Sequence, residues 1–400
     1  MNLIIVNDYA YCNGGASGVA LDNAKLLAKQ GHNVTLFTAV GPIDDNLTTI
    51  NNLKIICLGQ YDILNDPNRI RASIRGLWNY KSAKEFGKLL KRYDPDDTVI
   101  HIHSLQKAIT TSIIPVAKKK GFRILYHLHD YGIVCPNIGF YNYQKQSICT
   151  KTPLSIQCIC CNCDSRKYIH KLWRVVRQFV QMYMGGLPGK VDGSVFVSNF
   201  SRKVLGKYIS KGQVIPNPIN ITNRYKVDAS LNKYVLYIGR LSPEKNPVML
   251  AEAARDLNVP VVFIGSGICM ERIQRVNPSA ICTGWLDKEK MGSYISQARY
   301  LVFPSLLYET QGLVVAEAMA YGIPVVVSDS CAATDFVSPN VNGLFFSNGE
   351  IESLKEAMEK MRDDKFVAVL SENAYKLFGD TSEKYTTDIE RYYSNLLAKK

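Results

Sequence analysis

Two glutamates, Glu309 and Glu317, stand eight residues apart on either side of a glycine in the stretch Tyr308-Glu309-Thr310-Gln311-Gly312-Leu313-Val314-Val315-Ala316-Glu317. The run from Gly312 to Tyr321 has no helix breaker inside it. Tyr300–Phe303 reads as a buried strand before it, Gly322-Ile323-Pro324 ends the helix, and Val325-Val326-Val327 reads as the next strand. In such a strand, helix, strand unit the first loop lies at the carboxyl edge of the sheet. There the helix presents its free N–H groups and positive dipole end to an anion, usually a phosphate. The carboxylates themselves would repel a phosphate, but they can accept hydrogen bonds from hydroxyls on either side of one. That is the layout of a nucleotide sugar, with a ribose at one end of a diphosphate and a hexose at the other. The plainer reading makes Glu309 a complement to the helix dipole and Glu317 a solvated helix residue.

A second loop at a carboxyl edge carries the opposite charge. Gly239-Arg240-Leu241-Ser242-Pro243-Glu244-Lys245 follows the strand Tyr234–Ile238 and sets two cations five residues apart. Arg240 offers a bidentate contact to a phosphate and Lys245 a point charge, although such a pair alone reads equally well as surface charge. Near the N-terminus, Asn13-Gly14-Gly15-Ala16-Ser17-Gly18 follows the first strand and lets the backbone approach a phosphate closely. Its spacing is not the dinucleotide fingerprint. The strand Asn33–Thr38 also runs into Ala39-Val40-Gly41 without the acid that holds an NAD ribose, which argues against a dehydrogenase. His129 and Asp130 end the strand Arg123–His129. A histidine there is more often a packed residue than a catalyst. Asp94-Pro95-Asp96-Asp97 reads as a solvated turn and not as a metal motif, so no catalytic metal is expected.

These loops need a scaffold, and the alternation of apolar strands with helical stretches supplies one. It occurs twice, from Leu3 to Ser198 and from Tyr234 to Ser328, which predicts an α/β protein of two doubly wound, Rossmann-like domains. The prolines of Ile215-Pro216-Asn217-Pro218 mark the boundary. The domains are then 1–215 and 216–380, with 381–400 a helix returning toward the first. The chain has 400 residues, 46% of them hydrophobic, and no membrane-spanning run. Met1-Asn2-Leu3-Ile4-Ile5-Val6 lacks the basic region of a signal peptide, which predicts a cytoplasmic protein with reduced cysteines. The net charge of +13 asks for an anionic partner.

Taken together, the Gly239–Lys245 segment, the Glu309–Glu317 segment and Ala318-Met319-Ala320 resemble glycosyltransferase family four. These are retaining enzymes of the GT-B fold, in which two Rossmann-like domains face a cleft. Lys29-Gln30-Gly31-His32-Asn33-Val34, the Gly14-Gly15 loop, His129-Asp130, Ser198, Asn217-Pro218 and Gly284-Trp285 fall in the family's order. The resemblance implies that Arg240 and Lys245 bind the donor diphosphate and stabilise the charge that develops as its bond breaks. It assigns Glu317 to the nucleotide ribose and Glu309 to the transferred sugar, with Gln311, Gly312 and Leu313 in the donor site. Gly15 would add a backbone contact from the opposite domain, and His129 would lie near the anomeric carbon and orient the donor sugar. Thr310-Gln311 departs from the family's usual small residue or proline followed by phenylalanine, which bears on the identity of the donor. The implied acceptor is a glycan or lipid-linked glycan, as in cell-surface polysaccharide or lipopolysaccharide biosynthesis. The implied chemistry needs no catalytic metal, the leaving diphosphate helping to deprotonate the acceptor. A nucleotide-sugar epimerase on the same fold and a non-enzymatic basic binding protein are the alternatives.

Two further features stand apart from the donor site. Cys135, Cys149, Cys158, Cys160, Cys161 and Cys163 crowd one stretch and end in overlapping C-x-x-C pairs. With reduced thiols this reads as a structural zinc site, redox disulfides being the runner-up. Some members of the resembled family carry a cysteine-rich insertion after the His-Asp pair. The ligand set is Cys135, Cys149 and Cys158 with Cys161 or Cys163, bracing the loop beside His129. After it, Arg166 to Lys190 contains no acidic residue. Arg166, Lys167, Lys171, Arg174 and Arg177 alternate with Trp173, Val176, Phe179, Val180 and Tyr183 as in an amphipathic helix with a basic outer face. With the basic segment Arg69 to Arg92, this half of the chain suits peripheral attachment to an anionic inner membrane face. Nucleic acid is compatible with the charge alone and has no motif here.

Overall fold

The computed structural model describes residues 1–221 and 224–398. The chain forms two compact units. The first comprises Met1–Gly139, Thr150–Pro218 and Ser382–Lys400, and the second Phe140–Cys149 with Ile219–Thr381.

The first unit is built on a parallel sheet of seven strands: β1 (Asn2–Tyr9), β2 (Asn33–Val40), β3 (Leu53–Cys57), β4 (Thr98–Ile102), β5 (Arg123–Leu128), β8 (Gly193–Phe196) and β9 (Gln213–Val214). Their order is β3-β2-β1-β4-β5-β8-β9. Leu3, Ile4, Ile5 and Val6 are wholly buried. A continuous apolar run is what a central parallel strand needs, since helices cover both its faces. The C-terminal helix Ser382–Ala398 packs Tyr385, Ile389, Tyr392, Tyr393 and Leu396 into the same core as Val99, Leu125 and Val195.

A two-stranded antiparallel hairpin, β6 (Tyr141–Asn142) with β7 (Ser147–Ile148), follows in sequence and belongs to the second unit. The cysteine-rich stretch 135–163, expected to be one insertion in the first domain, is thus divided between the units. Strands of two residues cannot stand alone. Phe140 and Tyr141 at the base of the hairpin are buried, with Tyr141 beside Glu244 of the same unit.

The second unit holds a parallel sheet of β10 (Tyr234–Ile238), β11 (Val261–Ile264), β12 (Ile281–Gly284), β13 (Ala298–Phe303), β14 (Val325–Ser328) and β15 (Gly343–Phe346), in the order β12-β11-β10-β13-β14-β15. The helix Leu313–Ala320 buries Val315, Ala316, Ala318, Met319 and Ala320 beside β13 and β14. Such packing fixes the helix and with it the half-buried Glu317. Among the described residues no helix is long and apolar enough to cross a membrane.

Candidate active site

In the second unit the loop after β10 is held by the loop after β11. Gly239 N–H donates to Ile264 O (2.9 Å) and Leu241 N–H to Ser266 O (3.0 Å). The two loops touch so closely that a Cβ at Gly265 would come within 2.0 Å of Gly239 O, and one at Gly267 within 2.2 Å of Leu241 O. Only glycine fits at these positions, and sequence reasoning gave neither a role; the Gly-Ser-Gly after a strand was the signal. Arg240 extends from this platform with 66% of its side chain open. Its guanidinium is tied to Glu244 at 3.1 Å, and Glu244, almost fully buried, also accepts from Ser242 Oγ at 2.8 Å.

Lys245 forms an ion pair with Glu309, although 64 residues separate them. Ser305 Oγ donates to the same Glu309 oxygen at 2.7 Å. The structure therefore brings the expected diphosphate cation and the expected sugar carboxylate into contact. Gly312, with φ of +80°, turns the chain into the helix Leu313–Ala320, and the neighbouring Gln311 is buried. Arg240, Lys245, Glu309, Gln311, Gly312, Leu313 and Glu317 all belong to this unit.

In the first unit His129 is one of four stacked imidazoles. His101 and His103 lie on β4 and its end, His127 and His129 on β5 and its end. Residues two apart on a strand share a face, and these strands are neighbours. The rings of His127 and His129 are 4.2 Å apart at 4°, and those of His101 and His127 5.2 Å apart at 17°. The hydrogen bonds set the tautomers. Asn23 Nδ2 donates to His103 Nε2 (3.0 Å), so His103 carries its proton on Nδ1 and gives it to His129 Nε2 (2.9 Å). Tyr393 Oη and Asn23 Nδ2 reach His101 Nδ1 at 2.7 and 3.3 Å, leaving His101 Nε2 to donate to His127 Nδ1 at 3.1 Å. His129 thereby keeps its own proton on Nδ1. Burial pushes His101, His103 and His127 well below the ordinary histidine range, and pushes His129, which keeps a partly open side, down to about 3. Sequence reasoning selected His129 alone. The repeated His-x-His at 101–103 and 127–129 was the missed signal.

Gly14 and Gly15 begin the helix Gly15–Lys29, Gly14 with φ of +90°, and no atom lies within 4 Å of where a Cβ on either would sit. The backbone is open there.

The basic helix differs from expectation. In Tyr168–Phe179, Lys171 and Arg177 are buried, and Arg174 binds Asp164 (3.0 Å) and Asn137 Oδ1 (2.7 Å). Arg177 donates to Gln106 O at 3.4 Å and lies beside Asp130 and Asp8. The outer positions are instead Ile169 and Val176, 65% and 49% exposed. The expected basic outer face is turned inward at these three residues, because other segments bring Asp164, Asp130 and Asp8 to Arg174 and Arg177, and cysteine sulfurs to Lys171.

Lys171 sits among the cysteines. Its Nζ is 3.5 Å from Cys158 Sγ, and Cys163 and Cys135 are further electrostatic neighbours. Burial alone would lower this ammonium, yet the Cys163 and Cys158 sulfurs raise it; burial in turn pushes the Cys163 thiol up. Cys149 belongs to the second unit, while Cys135, Cys158, Cys161 and Cys163 belong to the first. Among the described residues, the His, Cys or carboxylate ligand atoms gathered within 4.8 Å of one another are those of His101, His103 and His127. Both nitrogens of His101 and of His103, and Nδ1 of His127, already serve the hydrogen bonds above.

The family model for Glycosyltransferase Family 4 matches residues 13–223, more than half of the chain. The chain belongs to Glycosyltransferase Family 4. The model for Glycosyl transferases group 1 matches residues 223–377, so the two matches together span both Rossmann-like units of a GT-B glycosyltransferase. An uncharacterized 42.6 kDa protein in the cps region of Klebsiella pneumoniae is 25% identical over 362 residues, covering 85% of this chain and 89% of that one. The UDP-Gal:alpha-D-GlcNAc-diphosphoundecaprenol alpha-1,3-galactosyltransferase of Escherichia coli is 26% identical over 150 residues, 34% of this chain and 38% of that enzyme. Among solved structures, the sucrose-phosphate synthase of Thermosynechococcus elongatus superposes with a TM-score of 0.73 at 19% identity over all of both chains. Anabaena HepE in complex with UDP and glucose does so with 0.69 at 17%, over 99% of this chain and 100% of that one.

Proposed function

We propose that this glycosyltransferase moves a sugar, with retention of configuration, from a nucleoside-diphosphate donor to a lipid-linked glycan at the inner face of a membrane, in cell-surface polysaccharide synthesis. The observation that carries this reading is the meeting of Lys245 with Glu309 beside the open guanidinium of Arg240. Cations for a diphosphate and a carboxylate for sugar hydroxyls share one sheet edge, ahead of a helix N-terminus. The cps-region relative, the diphosphoundecaprenol-linked substrate in the name of the Escherichia coli enzyme and the UDP of the HepE complex support the donor and acceptor classes.

In this reading Arg240 and Lys245 meet the charge that grows on the departing diphosphate. Glu309 accepts from hydroxyls of the transferred sugar, Glu317 from the ribose, and Gln311, Gly312, Leu313 and Gly15 complete the donor site. The bond from the anomeric carbon to the diphosphate breaks as the acceptor oxygen bonds the same face, and the acceptor proton passes to a diphosphate oxygen. His129 is not the base. Its Nε2 already accepts from His103 Nδ1, and its role in this reading is to orient the sugar. Two side-chain cations already face the leaving group, and no catalytic metal is proposed. Structural zinc on four of Cys135, Cys149, Cys158, Cys161 and Cys163 remains part of the proposal; elemental analysis of protein prepared without chelators should find about one zinc per chain. An ammonium such as Lys171 would offset the negative charge of a zinc tetrathiolate.

The test is a thermal-shift panel of UDP, GDP and ADP sugars followed by product analysis with a lipid-linked acceptor. One nucleotide class should stabilise the fold by mass action, and its sugar should appear on the acceptor with unchanged anomeric configuration. Stabilisation by none of them, or conversion of the donor without an acceptor, would overturn the reading.

A further inference from the structure

The helices Arg69–Leu77 and Tyr168–Phe179 of the first unit lie side by side. A Cβ at Gly76 would come within 2.9 Å of the Trp173 ring, and Trp173 Nε1 donates to Ser73 O at 3.3 Å. Both helices carry large apolar side chains outward: Ile70 and Ile74 are 75% and 63% exposed, Ile169 and Val176 65% and 49%. Leu64 and Tyr183 extend the patch. A surface helix ordinarily hides such residues and shows its cations. Here Lys171 and Arg177 are buried, and the wholly buried Asp66 draws in Arg75. Beside the two helices is a cavity of about 270 Å³, walled by Leu64, Ile169 and Trp173 together with Arg69, Arg166 and His170.

We propose that this face seats the protein on an anionic membrane and that the cavity takes the phosphate head and first methylenes of a lipid. Charge complementarity selects this occupant. Arg69, Arg71, Arg166 and Lys167 are exposed around the patch, and no acidic residue occurs from Arg166 to Lys190. Aliphatic side chains and a tyrosine ringed by arginines are the composition of a helix lying in a lipid interface. From Ile169 the helix runs eight residues, about 12 Å, to Arg177 beside Asp130, the neighbour of His129. The cavity and His129 therefore lie on the same unit, the first. The inference deepens the proposed function and rests on it for the membrane.

The test is flotation of the full chain with phosphatidylcholine vesicles, with and without phosphatidylglycerol. Wild type should float with the anionic vesicles and not with the neutral ones. Ile70→Glu with Ile169→Glu should abolish flotation. Arg69→Gln with Arg166→Gln should weaken it about thirtyfold and flatten its salt dependence, because each basic side chain near such a surface contributes on the order of fivefold. The four residues are surface-exposed or line an open cavity, so unchanged thermal unfolding serves as the folding control. Equal flotation with both vesicles, none with either, or unchanged flotation of the isoleucine pair would overturn the proposal. So would a wild-type dimer that the isoleucine pair dissociates, since a second copy would then cover the face. Nucleotide-sugar stabilisation of the isoleucine pair separates the two failures: if it persists while wild type does not float, only the membrane seat falls.

Discussion

At the carboxyl edge of the first unit, four imidazoles hydrogen-bond and stack with one another, anchored by Asn23 and Tyr393. At that of the second, two cations and two carboxylates stand in pairs, Arg240 with Glu244 and Lys245 with Glu309. Both solutions avoid an unpaired charge away from water, which is costly. They leave different sensitivities. Neutral imidazoles are vulnerable to protons, whereas ion pairs are vulnerable to a competing ion, and a diphosphate is such an ion. The second unit's edge is thus built to exchange partners and the first unit's to keep one protonation state.

The sharpest way to break this comparison is Lys245→Met. Turnover should fall on the order of 10²–10³, the loss typical of one group that stabilises transition-state charge. Glu309, left without its cation, should also lower stability by about 1–3 kcal/mol. Steady-state rates and urea unfolding check both, and activity within tenfold of wild type would remove Lys245 from the leaving-group role.

Acid should act on the first unit. The folded pKa values of His101, His103 and His127 lie below the unfolded value near 6.5, so their contribution is complete above that pH and is lost as pH falls toward the folded values. Each buried imidazole adds a slope of about 1.4 kcal/mol per pH unit, or about 4 kcal/mol per unit for the three. Trp78 and Trp173 report on this unit and Trp285 on the other. In a Trp285→Phe background, urea midpoints followed by tryptophan fluorescence should drop steeply below pH 6. A flat profile from pH 7 to 5 would mean that the histidines are not held neutral.

Glu309→Gln separates binding from turnover. Turnover should fall on the order of 10²-fold if the carboxylate holds the sugar in the transition state. Affinity for the bare nucleoside diphosphate should rise, because Lys245 is no longer shared. Calorimetry showing weaker binding would mean that the pair does not compete with the ligand. The smallest effect is expected of Glu317→Gln, on the order of tenfold in donor affinity with little change in turnover, as the loss of charge-assisted hydrogen bonds to a ribose predicts. The same titration with the 2′,3′-dideoxy nucleotide should then show no difference between variant and wild type.

Much of this was legible along the chain. Strand and helix alternation, the loops that follow β10 and β13, and the glycine that turns into the helix Leu313–Ala320 are all expressed in short spacings, because hydrophobic periodicity and turn chemistry act over a few residues. Those spacings are enough to put Arg240, Lys245, Glu309 and Glu317 in one unit near one kind of edge. Contacts between segments distant in sequence were not legible. That Lys245 grips Glu309, that Asn23 and Tyr393 set the tautomers of histidines on β4 and β5, and that Gly265 presses on Gly239 depend on sheet order and register. The helix Tyr168–Phe179 shows the limit most clearly. Its own residues allow either face to turn inward, and only the acids and thiols that other segments place beneath it make the cationic face the buried one. An amphipathic pattern sets the period of a helix; the partners across the interface choose its face.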